Sequence, residues 1–238
     1  MWYRNQLYRA GGLRKCSQIT YKASNILLGQ EGEGRLSPKI LEKAQSELAL
    51  LYNQVEAYIA RFPAFHSTFE PWSFPATGNV VGNMIAAGNR AGVGPMAAVA
   101  GAFADGILNA VGANAGDLFV ENGGDVALQC LRERSVLIYP GSVEFEAQVA
   151  IQLPPGRWGI ASSSGKWGHS HSLGQADMVT VAADDAATAD ALATAIANRI
   201  VPGCDPEHII STEFPRHHVA VFWEGRFWYR GDLQVRFV

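Results

Sequence analysis

Residues 178–199, MVTVAADDAATADALATAIANR, decide how the fold of this chain is interpreted. The first residues are apolar and partly β-branched, which predicts a short buried strand. Asp184 or Asp185 then provides the side-chain oxygen that caps the start of a helix. The remaining residues are rich in alanine and contain neither glycine nor proline, so they predict a helix that continues to about Arg199.

The predicted helix carries one polar stripe, made of Asp190, Thr194 and Asn198. These residues are four positions apart, so they share one face of the helix. A carboxylate and a hydroxyl one turn apart offer two hard oxygen atoms, which suit Mg²⁺ or Ca²⁺. The same pattern is also typical of the solvated face of an amphipathic helix. On spacing alone, both interpretations stay open.

The composition predicts a globular protein with a sizeable core, because 48% of the 238 residues are hydrophobic and only 17% are charged. The net charge of −3 and the lack of any basic run longer than Arg14-Lys15 argue against broad nucleic-acid binding. No stretch of about 18 apolar residues predicts a membrane span.

The cysteines, Cys16, Cys130 and Cys204, lie far apart and form no C-x-x-C pair. Such a sparse set is typical of reduced residues in a cytoplasmic protein. The first residues of the chain also lack the apolar segment of a signal peptide, so we expect a cytoplasmic location.

Paired strands and long helices predict an α+β fold with antiparallel sheet. One helix is expected to begin at Ser37-Pro38 and end near Arg61, and a second to run from Pro95 to about Val111. The intervening residues 62–94 are rich in proline, aromatic residues and glycine, and no helix is predicted there. We expect one domain over residues 1–238, with two similar α+β halves as an open alternative.

Two further groups of polar residues have two interpretations each. Asp105 lies inside the second predicted helix, where an ionised carboxylate needs a partner; we expect it to face a polar helix end or to bond Asn109, with coordination as the alternative. His169 and His171 alternate, so on a strand both imidazoles would share a face and could bind a metal, as in a metallohydrolase. The alternative is two surface or hydrogen-bonded histidines, because zinc usually needs three or four protein ligands.

Four short motifs together resemble those of the ApbE family, the FAD:protein FMN transferases. The motifs are Ala-Gly-Ala-Phe-Ala-Asp ending at Asp105, Glu-Asn-Gly-Gly-Asp ending at Asp125, Ser163-Ser164-Gly165, and Thr-Ala-Asp-Ala-Leu-Ala-Thr ending at Thr194. The last of these is the specific one. The residues from Ser163 to Asp177 look closer still to a compact branch of the family. The resemblance covers residues 95–199.

The resemblance implies an α+β fold of the T-fold type and a Mg²⁺ ion held by Asp190, Thr194 and a main-chain carbonyl near Val99. That ion would sit on the pyrophosphate of FAD, and transfer of FMN to a hydroxyl of an acceptor protein would release AMP. Asp190 and His169 would be the catalytic residues. The residues that the resemblance assigns to cofactor binding are Asn122, Gly123, Gly124, Asp125, Ser163, Ser164, Gly165 and His169.

Two departures from the family pattern keep a second hypothesis open. Ala100 stands where the family has lysine, and residues 168–174 replace its His-x-x-Asp-Pro-x-Thr-Gly segment. The alternative is therefore a non-catalytic member that binds a different small ligand or a protein partner. The glycine-rich helix and the many aromatic residues permit a homodimer.

Overall fold

The computed structural model describes residues 15–32, 34–74, 78–112, 116–138, 149–165 and 173–237. The strands within these ranges are β1 (Lys15–Tyr21), β2 (Ser24–Gln30), β3 (Leu118–Asn122), β4 (Asp125–Cys130), β5 (Arg134–Ile138), β6 (Val149–Leu153), β7 (Gly156–Ser163), β8 (Met178–Ala183), β9 (His218–Trp223), β10 (Arg226–Arg230) and β11 (Val235–Phe237). The helices are α1 (Pro38–Arg61), α2 (Val80–Ala91), α3 (Val99–Val111), α4 (Ala186–Ala197) and the short α5 (Pro206–His208).

The strands form two antiparallel sheets. The larger sheet has the order β1-β2-β3-β4-β7-β8-β9-β10, and the smaller one has the order β11-β6-β5. Every pairing described within them is antiparallel. The predicted α+β fold with antiparallel sheet is confirmed. The prediction of one domain, with two similar halves as the alternative, stays a prediction.

The larger sheet separates two hydrophobic cores, because alternate residues of a strand point to opposite faces. On β2, Ile26 and Leu28 pack in the core that contains the helices, while Leu27 packs in the core shared with the smaller sheet. On β3, Val120 belongs to the first core and Phe119 to the second. The molecule therefore has three layers: helices, large sheet and small sheet.

The start of α1 agrees with its prediction, since Ser37 accepts a hydrogen bond from the N–H of Ile40 and Pro38 occupies the first turn. In contrast, α2 was not predicted, because its glycines lower helix propensity. Asn79 caps α2 through the N–H of Gly82. Gly88 lies where the backbone of Val93 comes close, so close packing explains why this helix contains glycine.

The second predicted helix is interrupted near its start. Residues Pro95–Ala98 form a 3₁₀ turn, and the α-helix α3 begins at Val99. Within the part of the chain that the structure describes, no single helix has the length and apolarity for a membrane crossing. One pair, Val80–Ala91 with Pro95–Val111, meets these criteria only jointly and is bent by 107°.

Candidate functional site

Helix α4 packs so closely on its neighbours that two glycines are required at the contact. A methyl group at Gly101 of α3 would overlap the carbonyl of Ala186. A methyl group at Gly159 of β7 would overlap the backbone of Asp185 and Ala186. The first turn of α4 is thus held between α3 and the large sheet.

Helices α3 and α4 cap each other through buried or half-buried aspartates. Asp190 of α4 accepts a hydrogen bond of 2.9 Å from the N–H of Gly101, in the first turn of α3. Asp105 of α3 accepts bonds of 3.1 and 2.9 Å from the N–H groups of Ala186 and Ala187. Helix α3 has no side-chain cap of its own, so Asp190 supplies an acceptor that its first turn would otherwise lack.

Of the two arrangements predicted for Asp105, it faces a polar helix end, the start of α4, and the predicted bond to Asn109 is wrong. The side chain of Asn109 instead accepts a hydrogen bond of 2.6 Å from Arg157. Asp105 is buried among the helices, and the two N–H groups at the start of α4 satisfy its oxygens. Its role in this structure is that of a helix cap supplied from a distant part of the chain.

The predicted turn between β3 and β4 lies against the start of α3. Its two glycines, Gly123 and Gly124, have φ angles of 69° and 119°, which favour glycine. Asn122 donates from Nδ2 to the carbonyl of Ala100 over 3.2 Å. Glu121 accepts from the N–H of Gly124 over 2.9 Å. The bond from Asn122 joins the turn to the helix that contacts Asp190, and the bond to Glu121 closes the turn itself.

Asp125, the last residue of the glycine motif, is buried close to Asp190. Burial raises the pKa of Asp125 well above its ordinary value, and the negative charge of Asp190 raises it further, while a bond from the N–H of Ser162 opposes the rise. Loss of contact with water raises the pKa of Asp190 to about 7. Hydrogen bonds from the N–H groups of Gly101 and Ala100 act in the opposite direction and lower this pKa. Two neighbouring carboxylates, one buried and one half-buried, favour a cation or a proton between them.

Burial also raises the pKa of Asp105 to about 6. The hydrogen bonds from the N–H groups of Ala187 and Ala186 oppose this rise. Since the folded-state pKa exceeds the ordinary value of 3.8, the folded protein binds the extra proton first as the pH falls. Asp105 should therefore add stability as the pH falls through 6, and the gain should be complete below about 3.8.

We expect the stability of wild type relative to Asp105→Asn to rise by about 1 kcal/mol between pH 7.5 and pH 5. Urea denaturation in EDTA at a series of pH values measures this difference, because asparagine does not titrate. A difference that stays constant, or falls as the pH falls, would contradict the raised pKa.

Ser163 is the buried polar side chain that lacks a partner within the described residues. It is 4% exposed, and its Oγ atom makes no hydrogen bond. Ser162 and Ser163 are the last two residues of β7. Ser163 lies two residues beyond Ala161, which packs in the helical core, so its side chain faces the helix layer. The unsatisfied hydroxyl therefore lies on the same side of the sheet as Asp190.

Ser162 and Ser163 offer a matched pair of substitutions. Ser162 Oγ shares a hydrogen bond of 2.8 Å with Thr180 on the opposite face of the sheet. Thermal or urea denaturation should show Ser162→Ala destabilised by about 1 kcal/mol and Ser163→Ala unchanged within about 0.5 kcal/mol, because only the first loses a bond. A larger loss at Ser163 would mean that its hydroxyl has a partner in the ligand-free protein.

The remaining predicted site residues are only partly brought together. Thr194 lies one turn beyond Asp190 and is half-buried, and Val99 is the first residue of α3, beside Ala100. Ser164 and Gly165 follow Ser163 directly, and the N–H of Gly165 donates to the carbonyl of Ala176. His169 and His171 lie outside the described residues.

The oxygen atoms near Asp190 suit a hard cation whose remaining ligands are waters or phosphate oxygens of a substrate. Among the described residues, no group of three or more His, Cys, Asp or Glu side chains could hold a metal ion by itself. Mg²⁺ is commonly bound by one or two carboxylates together with waters and substrate phosphates. A pair of carboxylates with a hydroxyl and a carbonyl nearby fits that pattern, whereas it does not fit a structural zinc site.

Sequence reasoning missed two features of this site, the mutual capping of α3 and α4 and the closeness of Asp125 to Asp190. Both depend on contacts between segments far apart in the chain. The one local signal was the buried acid at Asp105, which required some partner without indicating which.

Comparison with known proteins places the chain among relatives of one family. A family model described as AbpE bacteria matches residues 6–209. A UPF0280 protein of Methanoculleus marisnigri is 45% identical over 163 residues, which cover 67% of each chain. A UPF0280 protein of Methanoregula boonei is 39% identical over 191 residues, covering 78% of this chain and 79% of the relative.

Two solved structures share the fold at low identity. The apbe protein of Thermotoga maritima superposes with a TM-score of 0.53 at 14% identity, covering 91% of this chain and 97% of that one. The Pseudomonas stutzeri flavinyl transferase ApbE, in its apo form, gives a TM-score of 0.54 at 12% identity, covering 95% and 96%. At these identities the likeness concerns the fold.

Proposed function

The chain belongs to the family described as AbpE bacteria, and from this membership we propose that it binds FAD or a related nucleotide pyrophosphate and acts on it with Mg²⁺. The reaction would be transfer of FMN to a protein hydroxyl or cleavage of the pyrophosphate. The proposal rests on the contact between the three motifs that end at Asp105, Asp125 and Thr194. Asp190 accepts a hydrogen bond from the N–H of Gly101, and Asn122 donates one to the carbonyl of Ala100. The flavinyl transferase of Pseudomonas stutzeri, which shares the fold, supports this choice of ligand.

We propose Asp190, the hydroxyl of Thr194 and the main-chain oxygen of Val99 as the groups that would hold Mg²⁺. Asp125 would add a second negative charge beside it. When bound, the ion would polarise the phosphate oxygens as a Lewis acid. Support comes from the chemistry of the donors, which are hard oxygens, and from the crowding of two carboxylates, one buried and one half-buried.

The glycine turn and Ser163 would bind the nucleotide. Outside the glycine and its chain neighbours, no atom of the described residues lies within 4 Å of the point where a side chain would project from Gly123 or Gly124, so a ligand can approach the backbone there. The unpartnered Ser163 hydroxyl would gain a hydrogen bond from the ligand, together with its neighbours Ser164 and Gly165. Catalytic roles for Asp190 and for His169 are part of this proposal.

The proposal is tested by titrating the protein with FAD, with Mg²⁺ and then with EDTA, and by following AMP release. We expect Mg²⁺ to strengthen FAD binding at least tenfold and AMP to form only in its presence. Ser163→Ala should weaken binding, whereas Ser162→Ala should not, because Ser162 faces the other side of the sheet. An affinity for FAD that is the same with Mg²⁺, with EDTA and in both serine variants would contradict the proposed site.

One observation favours a non-catalytic member instead. Ala100 presents a methyl group at the position where the resemblance expects lysine, so a positive charge is missing next to the proposed pyrophosphate position. Binding of FAD without release of AMP or FMN would select this alternative. Steady AMP release that depends on Mg²⁺ would eliminate it.

A cytoplasmic location and a protein acceptor are also part of the proposal. None of the three cysteines, Cys16, Cys130 and Cys204, forms a disulfide, which fits a reducing compartment. Mass spectrometry of proteins incubated with the chain, FAD and Mg²⁺ would identify an acceptor by the added mass of FMN.

A further inference from the structure

A cavity of about 340 Å³ lies beside the first turn of α4, at the end of β7 away from Ser163. Side chains from α2, α3, β7 and the start of α4 line it. Arg157 of its wall is six residues before Ser163 on the same strand, which corresponds to a separation of about 20 Å. The cavity is therefore distant from Ser163, although its wall residues Asp105 and Ala187 lie near Asp190. We call it the arginine cavity.

Two guanidinium groups in the arginine cavity are held by neutral partners. Arg90 donates to the hydroxyl of Thr188 over 2.9 Å, and Arg157 donates to the side-chain oxygen of Asn109 over 2.6 Å. Within the described residues, neither arginine has a carboxylate within the 4.0 Å of an ion pair. Each guanidinium carries five N–H donors. The bonds to Thr188 and Asn109 orient the two guanidinium groups and leave other N–H donors for a ligand.

Two of the three carboxylates in the cavity wall accept hydrogen bonds from backbone N–H groups. Asp105 accepts from the N–H groups of Ala186 and Ala187, and Asp185 accepts from the N–H of Thr188. The third, Asp184, is exposed. The negative charges of Asp105 and Asp185 thus offset the positive end of α4, whereas the arginines are not neutralised by contact.

We propose that the arginine cavity binds a small organic oxyanion, a carboxylate or a phosphate, with its oxygens on Arg90 and Arg157. Paired guanidinium donors match the geometry of both oxyanions. Leu108 and Ala86 supply an apolar wall for the carbon part of the ligand. The volume is at the lower end of the range for small-molecule sites, which limits the ligand to a compact molecule. The site is independent of the proposed flavin function.

Calorimetric titration of the full chain in EDTA tests the proposal, with inorganic phosphate and benzoate as the two probes. We expect saturable millimolar binding of at least one probe, and the preferred probe identifies the chemistry of the ligand. Arg90→Gln and Arg157→Gln should each weaken binding at least tenfold, and Arg157→Lys should recover part of it. Arg226→Gln, which removes the same charge from an exposed position on β10, should change the affinity less than twofold.

Two results would overturn the arginine cavity as a binding site. One is the absence of saturable binding by either probe, and the other is equal weakening by Arg157→Gln and Arg226→Gln, which would indicate unspecific attraction by net charge. Ser163→Ala, which alters the proposed flavin site at the far end of β7, should leave phosphate and benzoate binding intact. If that variant removes binding, the anion occupies the proposed flavin site instead, and the proposal fails while the proposed function stands.

Discussion

Asp190→Asn is expected to lower the proposed Mg²⁺-dependent release of AMP from FAD by at least about 100-fold, since loss of the charged ligand proposed for the metal would cost several kcal/mol of transition-state stabilisation. Asparagine keeps the shape of the side chain and one oxygen that can accept the N–H of Gly101. The cap of α3 therefore persists while the negative charge is lost. The rate is measured at saturating FAD over a range of Mg²⁺ concentrations.

Asp105→Asn is the matched control for this prediction, because it makes the same chemical change in the other mutual cap. Asp105 uses both oxygens for N–H groups of α4, so the variant should lose about 1–3 kcal/mol of stability. Its AMP release should remain within a few-fold of wild type at a temperature where it is folded. An equal loss of activity in both variants would mean that packing of α3 on α4, and not the charge of Asp190, explains the result.

Gly101→Ala is expected to destabilise the protein by about 3 kcal/mol or more, because the added methyl group overlaps the backbone of Ala186 and α4 must move. This loss exceeds the gain of about 1 kcal/mol that alanine normally brings to a helix interior. Urea denaturation measures the free energy of unfolding, and circular dichroism reports whether the helices remain.

Gly106→Ala provides the control on the same helix. Its new methyl group would meet the tip of Leu51 at 2.9 Å, and a flexible side chain can move aside. We expect a change in the free energy of unfolding within about 1 kcal/mol of zero. Similar losses at Gly101 and Gly106 would show that helix α3 tolerates no methyl group anywhere, and the specific contact with α4 would lose its support.

Several elements could be predicted from the sequence because their causes are local. Asp185 caps α4 through Thr188, three residues away, and Ser37 caps α1 over the same separation. The turn at Gly123 and Gly124 follows from backbone angles that only nearby residues set. Helix α2 was missed because its propensity is poor and its stability comes from burial of residues such as Met84.

The sequence by itself determined the presence of paired strands, the starts of α1 and α4 and the polar stripe of Asp190 and Thr194, since capping and periodicity act within a few residues. Only the tertiary structure decided what those acids contact. Asp105 meets Ala186 across 81 residues of chain, and Asp190 meets Gly101 across 89. Such partners depend on how helices pack against the sheet, and packing of residues so far apart leaves no mark in local sequence patterns.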